Sequence, residues 1–262
     1  MPEGNRLTRR RLLGGGAVAA AGVAGAVLLG SDLTRSASVR NASSTADAPQ
    51  LYSRDVWMAR PPKLAATVLD SAPDHIVVHH TASENSADPS LPHALDLSRS
   101  IQTMHMDTNG WDDTGQQLTI SRGGHLMEGR NRTLEAIDAG KHVVGAHTLG
   151  ENEHTIGIEN EGTYMTEVPP QMLWAKLVET CKWLCEVYDL DPQKAIVGHR
   201  DYNDTACPGD MLYALLPELR KQVAGGSAQR FARPMLRSSS GLPGPRHRFD
   251  HGPAVGPSDP TR

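Results

Sequence analysis

Two imidazoles and a thiol are the groups in this chain best suited to chemistry. The stretch GHRDYNDTACPGD, residues 198–210, sets His199 and Cys207 eight positions apart, with Pro208 directly after the thiol. A packing cysteine usually sits in an apolar run. This one sits among turn residues, and a disulfide would need a mate. Far upstream, HIVVHHT at 75–81 ends a β-branched apolar run in His79 and His80. Thiolate and imidazole are both zinc ligands, and a catalytic zinc site takes three protein ligands and keeps one position open. A divalent cation held by two neutral imidazoles and a thiolate keeps net positive charge. It can bring the pKa of a bound water to ~7 and polarise an amide carbonyl. Spacing alone does not single out His79, His199 and Cys207, because His–His pairs and His/Cys turns also arise by chance.

These side chains need elements to bring them together. HIVVHHT reads as a short buried strand. SLPHALDLSRSIQTMHM, 90–106, places Leu91, Leu95, Ile101 and Met104 at helical spacing. QQLTIS at 116–121 reads as a strand, RGGH as a turn and LMEGR as a return strand. HTIGIENEG at 154–162 is another strand, and AIVGH at 195–199 is one that delivers His199 to its end. The clearest helix is PPQMLWAKLVETCKWLCEVY, 169–188, with one apolar stripe through Leu173, Leu177, Cys181, Leu184, Cys185 and Tyr188. MLYALLPELRKQV, 211–223, reads as a last helix. Strands alternating with helices predict an α/β domain. Cys181 and Cys185 lie four apart on the buried stripe and read as core thiols, so Cys207 has no obvious disulfide partner.

The bulk numbers frame this. A chain of 262 residues with a net charge of −4 and both signs mixed suggests one sizeable domain with extensions. It lacks the basic footprint of a nucleic-acid binder. Residues 1–30 carry Arg6, Arg9, Arg10 and Arg11 ahead of an Ala/Gly-rich apolar run, the layout of a secretory signal. Thr8-Arg9-Arg10-Arg11-Leu12-Leu13 resembles the twin-arginine type of bacterial export signal. An uncleaved anchor is the alternative, weakened by six glycines between Gly14 and Gly30. Membrane contact is then transient, through the export signal. Residues 31–50 read as a Ser/Ala/Asp-rich linker, and 51–225 as the folded domain. The Pro/Gly/Arg-rich tail at 226–262, with His247 and His251, is too poor in large apolar residues to offset the entropy of ordering.

Six motifs sharpen the picture. VVHHT, IQTMHMDTNGWDDTGQ, SRGGHLMEGR, VGAHT, TIGIENEG and GHRDYNDTACPG occur in the same order as in the N-acetylmuramoyl-L-alanine amidase type 2 and peptidoglycan recognition protein family, which this chain resembles from about 51 to 220. The resemblance implies an α/β fold: a central mixed β-sheet flanked by helices, a single domain with a zinc site in a surface groove. By motif position the zinc ligands are His79, His199 and Cys207. Adjacent strand residues point to opposite faces, so His80 is left as a packing or supporting residue. Thr205 falls where the family hydrogen-bonds the reacting carbonyl or its oxyanion. The family's receptor members, which bind without cleaving, lack this cysteine.

One departure matters. Animal members and phage lysozyme-type amidases carry Tyr after the glycine of DxGY, where this chain has Gln116, which cannot titrate. Bacterial amidases of the superfamily use a Glu of the IGIE strand instead, which points to Glu159. Glu161 alternates onto the same strand face and stays open as the alternative. The resemblance also lines the substrate groove with His147, Gln116 and Trp111, although His105 and Trp111 read equally as structural, and Asp112, Asp113 and Arg200 as turn and supporting residues. The implied activity is zinc-dependent hydrolysis of the amide between N-acetylmuramic acid and L-alanine in peptidoglycan or muropeptides. It would belong to a monomer that is secreted or associated with the cell wall. A non-catalytic peptidoglycan-binding module and a structural zinc protein are the competing readings.

Overall fold

The structure, a computed structural model, describes residues 48–225 and the backbone of residues 39–40. The export segment at 1–30, most of the linker at 31–50 and the tail at 226–262 lie outside the described residues. Within the linker stretch, Val39–Arg40 form a short edge strand, β1.

The order that follows is β2 (Leu51–Tyr52), β3 (Val68–Leu69), β4 (His75–His80), α1 (Leu91–Thr103), β5 (Leu118–Ile120), β6 (Leu126–Glu128), α2 (Thr133–Asp138), β7 (His142–Val143), β8 (Thr155–Asn160), α3 (Gln171–Tyr188), α4 (Pro192–Ala195), β9 (Ile196–Gly198), α5 (Asp210–Ala214) and α6 (Leu216–Val223). Seven strands form one mixed sheet in the order β1-β2-β6-β5-β8-β4-β9, and β3 pairs with β7 apart from it. Four consecutive strands, β5, β8, β4 and the edge strand β9, run parallel. Parallel neighbours need crossover connections, usually helical. Here α1 lies between β4 and β5, and α3 and α4 lie between β8 and β9.

Register sorts the side chains. On one face Ile76, Val78, Leu118, Ile120, Ile156, Ile158 and Ile196 join Leu173, Leu177, Cys181, Leu184, Leu216 and Leu219 in the main core. That is the apolar stripe of α3 and α6 laid on the sheet, each buried Leu or Ile contributing about 1.5–3 kcal/mol. The other face alternates with it. Its cross-strand pairs are Val77 with Gly157, His79 with Glu159, and Thr119 with Glu159. Part of that face is covered where Met127 packs with Ala94 of α1 and Trp57. The rest carries the polar row.

Local chemistry sets the element ends. The Ser90 hydroxyl accepts from His93 N–H at the start of α1, an N-cap bond. After α1 the chain widens into a π-helical turn at Met104–Thr108, and His105 there is buried with its Nδ1 accepting from Gly115 N–H at 3.0 Å. The expected helix over 211–223 is two helices meeting at Leu215. Pro217 has no N–H to donate, and its ring excludes a regular turn before it. Among the described residues no helix is long and apolar enough to cross a membrane.

Candidate metal centre

His79 is near the end of β4, and His199 leaves β9 in a 3-10 turn, His199–Asp201. Because Val78 pairs with Gly198, the residues that follow come off neighbouring strands side by side. Their ring centroids are 4.5 Å apart. Cys207 returns from the loop after β9, its Sγ 3.7 Å from His79 Nδ1. The donor atoms of His79, His199 and Cys207 all lie within 4.8 Å of one another, and all three residues are 0% exposed. A tetrahedral zinc with bonds of ~2.0–2.1 Å to nitrogen and ~2.3 Å to sulfur would set N and S ~3.6 Å apart, close to the observed approach.

The outer nitrogens of both histidines are engaged in a way that fixes which atom faces the cluster. His147 Nε2 lies 3.2 Å from the Thr155 carbonyl. A carbonyl only accepts, so that nitrogen carries the proton. The neutral ring then accepts at Nδ1, from His79 Nε2–H at 3.0 Å. Burial holds His147 neutral, pushing its pKa down to about 3 against the smaller opposing pull of the Thr155 carbonyl. On the other side, Asn203 Nδ2 donates to Leu149 O and Asn203 Oδ1 accepts from Leu149 N–H. That orients the amide, so His199 Nε2 donates to Asn203 Oδ1 at 3.0 Å. Both imidazoles are left with Nδ1 for the cluster. Such outer partners orient the metal-binding nitrogen and raise ligand basicity.

The cysteine loop is clamped as firmly. Arg200 donates from its backbone and Nε to Cys207 O, from Nη2 to Ala206 O, and pairs with Asp210 at 2.8 Å. Its guanidinium lies over the Tyr213 ring. Cys207 Sγ accepts from His80 N–H at 3.4 Å. The His80 side chain, on the opposite face, accepts from Tyr164 N–H at Nδ1. The Cys207–Pro208 peptide is cis, and Gly209 has φ +92°. A Cβ at Gly209 would lie 2.5 Å from the Tyr164 backbone, so glycine is required for the loop to close.

The remaining expected residues are placed as follows. Glu159 stands beside His79 in register, 2% exposed, with Thr119 on its other side. Glu161 lies beyond β8, where its carboxylate meets His93 Nε2 at 2.5 Å and Arg122 N–H at 2.7 Å. Half-buried Thr205 accepts from Cys207 N–H through Oγ1 at 3.1 Å. Gln116 donates from Nε2 to Thr119 Oγ1, and its Oε1 meets no partner among the described residues. Trp111 is 4% exposed and packs on the His105 ring at 4.6 Å. Cys181 and Cys185 are core thiols; burial pushes Cys181 well up and Cys185 to about 12.

Sequence reasoning did not find Asn203 as the partner of His199. It read His147 as lining a groove, whereas here its ring nitrogens are engaged with His79, Thr148 and Thr155. The one available signal for His147 was Gly157. A Cβ there would lie 2.6 Å from His147 Cγ, so the glycine of TIGIE makes the hollow into which the ring fits.

Fold and site together define an α/β protein with a His-His-Cys donor cluster at the carboxyl ends of parallel strands, where open α/β sheets place their ligands. The profile of the N-acetylmuramoyl-L-alanine amidase family matches residues 69–210, more than half of the chain, and the chain belongs to that family. It is 32% identical over 170 residues to the N-acetylmuramoyl-L-alanine amidase of Homo sapiens, covering 64% of this chain and 28% of that protein. Peptidoglycan-recognition protein LB of Drosophila melanogaster is 33% identical over 166 residues, 63% of this chain and 66% of that protein. The solved wild-type structure of the LB protein superposes with a TM-score of 0.55 at 29% identity, covering 63% of this chain and 90% of the other. Peptidoglycan recognition protein LE, solved with tracheal cytotoxin, a monomeric diaminopimelic acid-type peptidoglycan, gives 0.56 at 27% identity, covering 63% and 91%. The chain thus spans under a third of the human relative's length, and its relatives include both amidases and recognition proteins.

Proposed function

We propose that this chain is a zinc-dependent amidase that cleaves the bond between N-acetylmuramic acid and L-alanine in peptidoglycan or its fragments. The observation that carries this is the convergence of Cys207 with two histidines whose outer nitrogens are locked by His147 and Asn203. Two neutral imidazoles and a thiolate suit zinc, and the residues that would hold it are His79, His199 and Cys207. Bound zinc supplies Lewis acidity and a nucleophile available near neutral pH.

The chain's own groups do the rest. Glu159, next to His79 across the strand pair, accepts the proton of the attacking water and returns it to the departing amide nitrogen, the work of a general base and acid. The Thr205 hydroxyl, whose oxygen already accepts from Cys207 N–H, still has its hydrogen to donate to the developing oxyanion. The neutral His147 ring keeps His79 in the tautomer that presents Nδ1. The relative solved with a peptidoglycan fragment supports a muropeptide partner, and the twin-arginine-like N-terminus supports action outside the cell membrane.

A second reading, a recognition module without turnover, is favoured by Gln116 standing where animal amidases carry Tyr. Cys207→Ser separates the two. The amidase reading expects the tightly held zinc equivalent, measured by elemental mass spectrometry after dialysis, to be lost. Release of free L-alanyl amino termini from purified peptidoglycan should stop as well. Wild-type protein that binds zinc yet releases no such termini would establish the recognition reading instead.

A further inference from the structure

Four residues back from His79 on the same strand, and on the same face, a second cluster surrounds His75. Asp74 Oδ1 lies 2.6 Å from His75 Nδ1 and 2.7 Å from His154 Nδ1. Behind it, His154 Nε2 lies 2.7 Å from Glu151 Oε2. Asp74 N–H donates to the His154 carbonyl at 2.9 Å, tying the two segments together. The Tyr202 ring stands edge-on to both imidazoles, with centroids 6.1 and 6.4 Å away. The side chains are 32–63% exposed, so an ion from solvent can reach them. By strand rise, four residues separate this cluster from the first by about 13 Å.

Its hydrogen bonding calls for positive charge, supplied by a proton or by a metal. One carboxylate oxygen faces two imidazole nitrogens, and a second carboxylate faces the remaining nitrogen of His154. His154 therefore meets an acceptor at both ends. Each end needs a proton, or one end needs a metal. Two carboxylates and two neutral imidazoles sum to the charge that a divalent ion neutralises.

We propose that Asp74, His75 and His154, with Glu151 orienting His154 from behind, form a second binding site for a divalent transition-metal ion. The donor atoms already lie within 4.8 Å of one another, and imidazole with carboxylate suits zinc, nickel or copper. Around a tetrahedral ion the donors sit ~3.3 Å apart. The Asp74 oxygen therefore has to retreat by only ~0.6–0.7 Å from the two rings, and its exposed side chain has room to do so. Glu151 on Nε2 leaves Nδ1 for the ion, the carboxylate–histidine–metal arrangement of ordinary metal sites.

The second ion would act on the first site by bracing a turn. His154 and Glu151 belong to the segment that begins with His147, and Asn152 Oδ1 accepts from both His147 N–H and Thr148 N–H. Pinning 151–154 to β4 holds the ring that orients His79. The role is positioning, because the link to the first cluster runs through Asn152 and His147.

The test uses the full chain and zinc alone, titrated calorimetrically at pH 7.5. A tight equivalent, lost in Cys207→Ser, should be followed by a weaker one that survives in Cys207→Ser. The weaker one should disappear in His75→Ala and His154→Ala, and should weaken ~10–100-fold in Glu151→Gln. Circular dichroism confirms that each variant is folded. With cobalt in place of zinc, the first equivalent should show thiolate-to-metal charge transfer and the second should not. If no weaker equivalent exists, or if it is unchanged in both histidine variants, the cluster is an imidazolium–carboxylate network and the proposal fails.

Discussion

Glu159 and Glu161 are two residues apart, and their surroundings assign them different work. Glu161 is spent on His93 and the Arg122 backbone, contacts that tie α1 and the β5–β6 turn to the end of β8. Glu159 faces the same side as His79, one strand away. Glu159→Gln keeps shape and polarity but cannot take a proton, so it should retain zinc while hydrolysis falls by ~10²–10⁴-fold. Glu161→Gln should instead lower thermal stability and leave most turnover. Muropeptide mass spectrometry alongside metal analysis reads both, and the opposite pattern would exchange the two roles.

At the scale of elements, the site depends on where β8 leaves space. Thr155, Gly157 and Glu159 alternate along one face of β8. Thr155 supplies a carbonyl for His147, Gly157 a hollow for its ring, and Glu159 a carboxylate beside His79. Gly157→Ala would put a methyl carbon 2.6–2.8 Å from the His147 ring, and the ring must move. We expect the core on the opposite face to survive and zinc affinity to drop ~10–100-fold, the usual cost of losing an outer partner of a metal ligand. A chelator competition assay measures it. The strand run TIGIE was legible as an element, but nothing in its pattern says which histidine would use the gap.

Across the whole molecule, two buried features set stability away from the site. Asp113, 0% exposed, accepts from Gln102, Asn131 backbone and side chain, and pairs with Arg54 at 3.0 Å. It joins the loop after β2, α1 and the turn before α2. Asp113→Ala would strand Arg54 beside an empty position and should cost about 3–5 kcal/mol, measured by chemical denaturation. His142 on β7 is buried, and that burial lowers its pKa below the ordinary imidazole value despite the Asn152 carbonyl at Nε2. The folded state therefore refuses a proton that the unfolded chain accepts below about pH 6.5. Its contribution to stability is present above that pH and is lost as pH falls towards the lowered folded value. Denaturation midpoints should fall with pH in this window, and less so in His142→Phe.

The sequence by itself determined the periodic elements, the buried thiols of α3, and which residue types would have to gather if a metal were bound. Those follow from local periodicity and from ligand chemistry, both of which are written along the chain. Only the tertiary structure decided that His79 and His199 leave adjacent parallel strands in matching register, that Glu159 stands beside His79 while Glu161 is held by α1, and that Asn203 reaches His199 by way of Leu149. Strand order and loop approach arise from contacts between segments tens of residues apart, and no local pattern encodes that His147 comes to 3.0 Å from the His79 imidazole or that Leu149 orients the Asn203 amide toward His199.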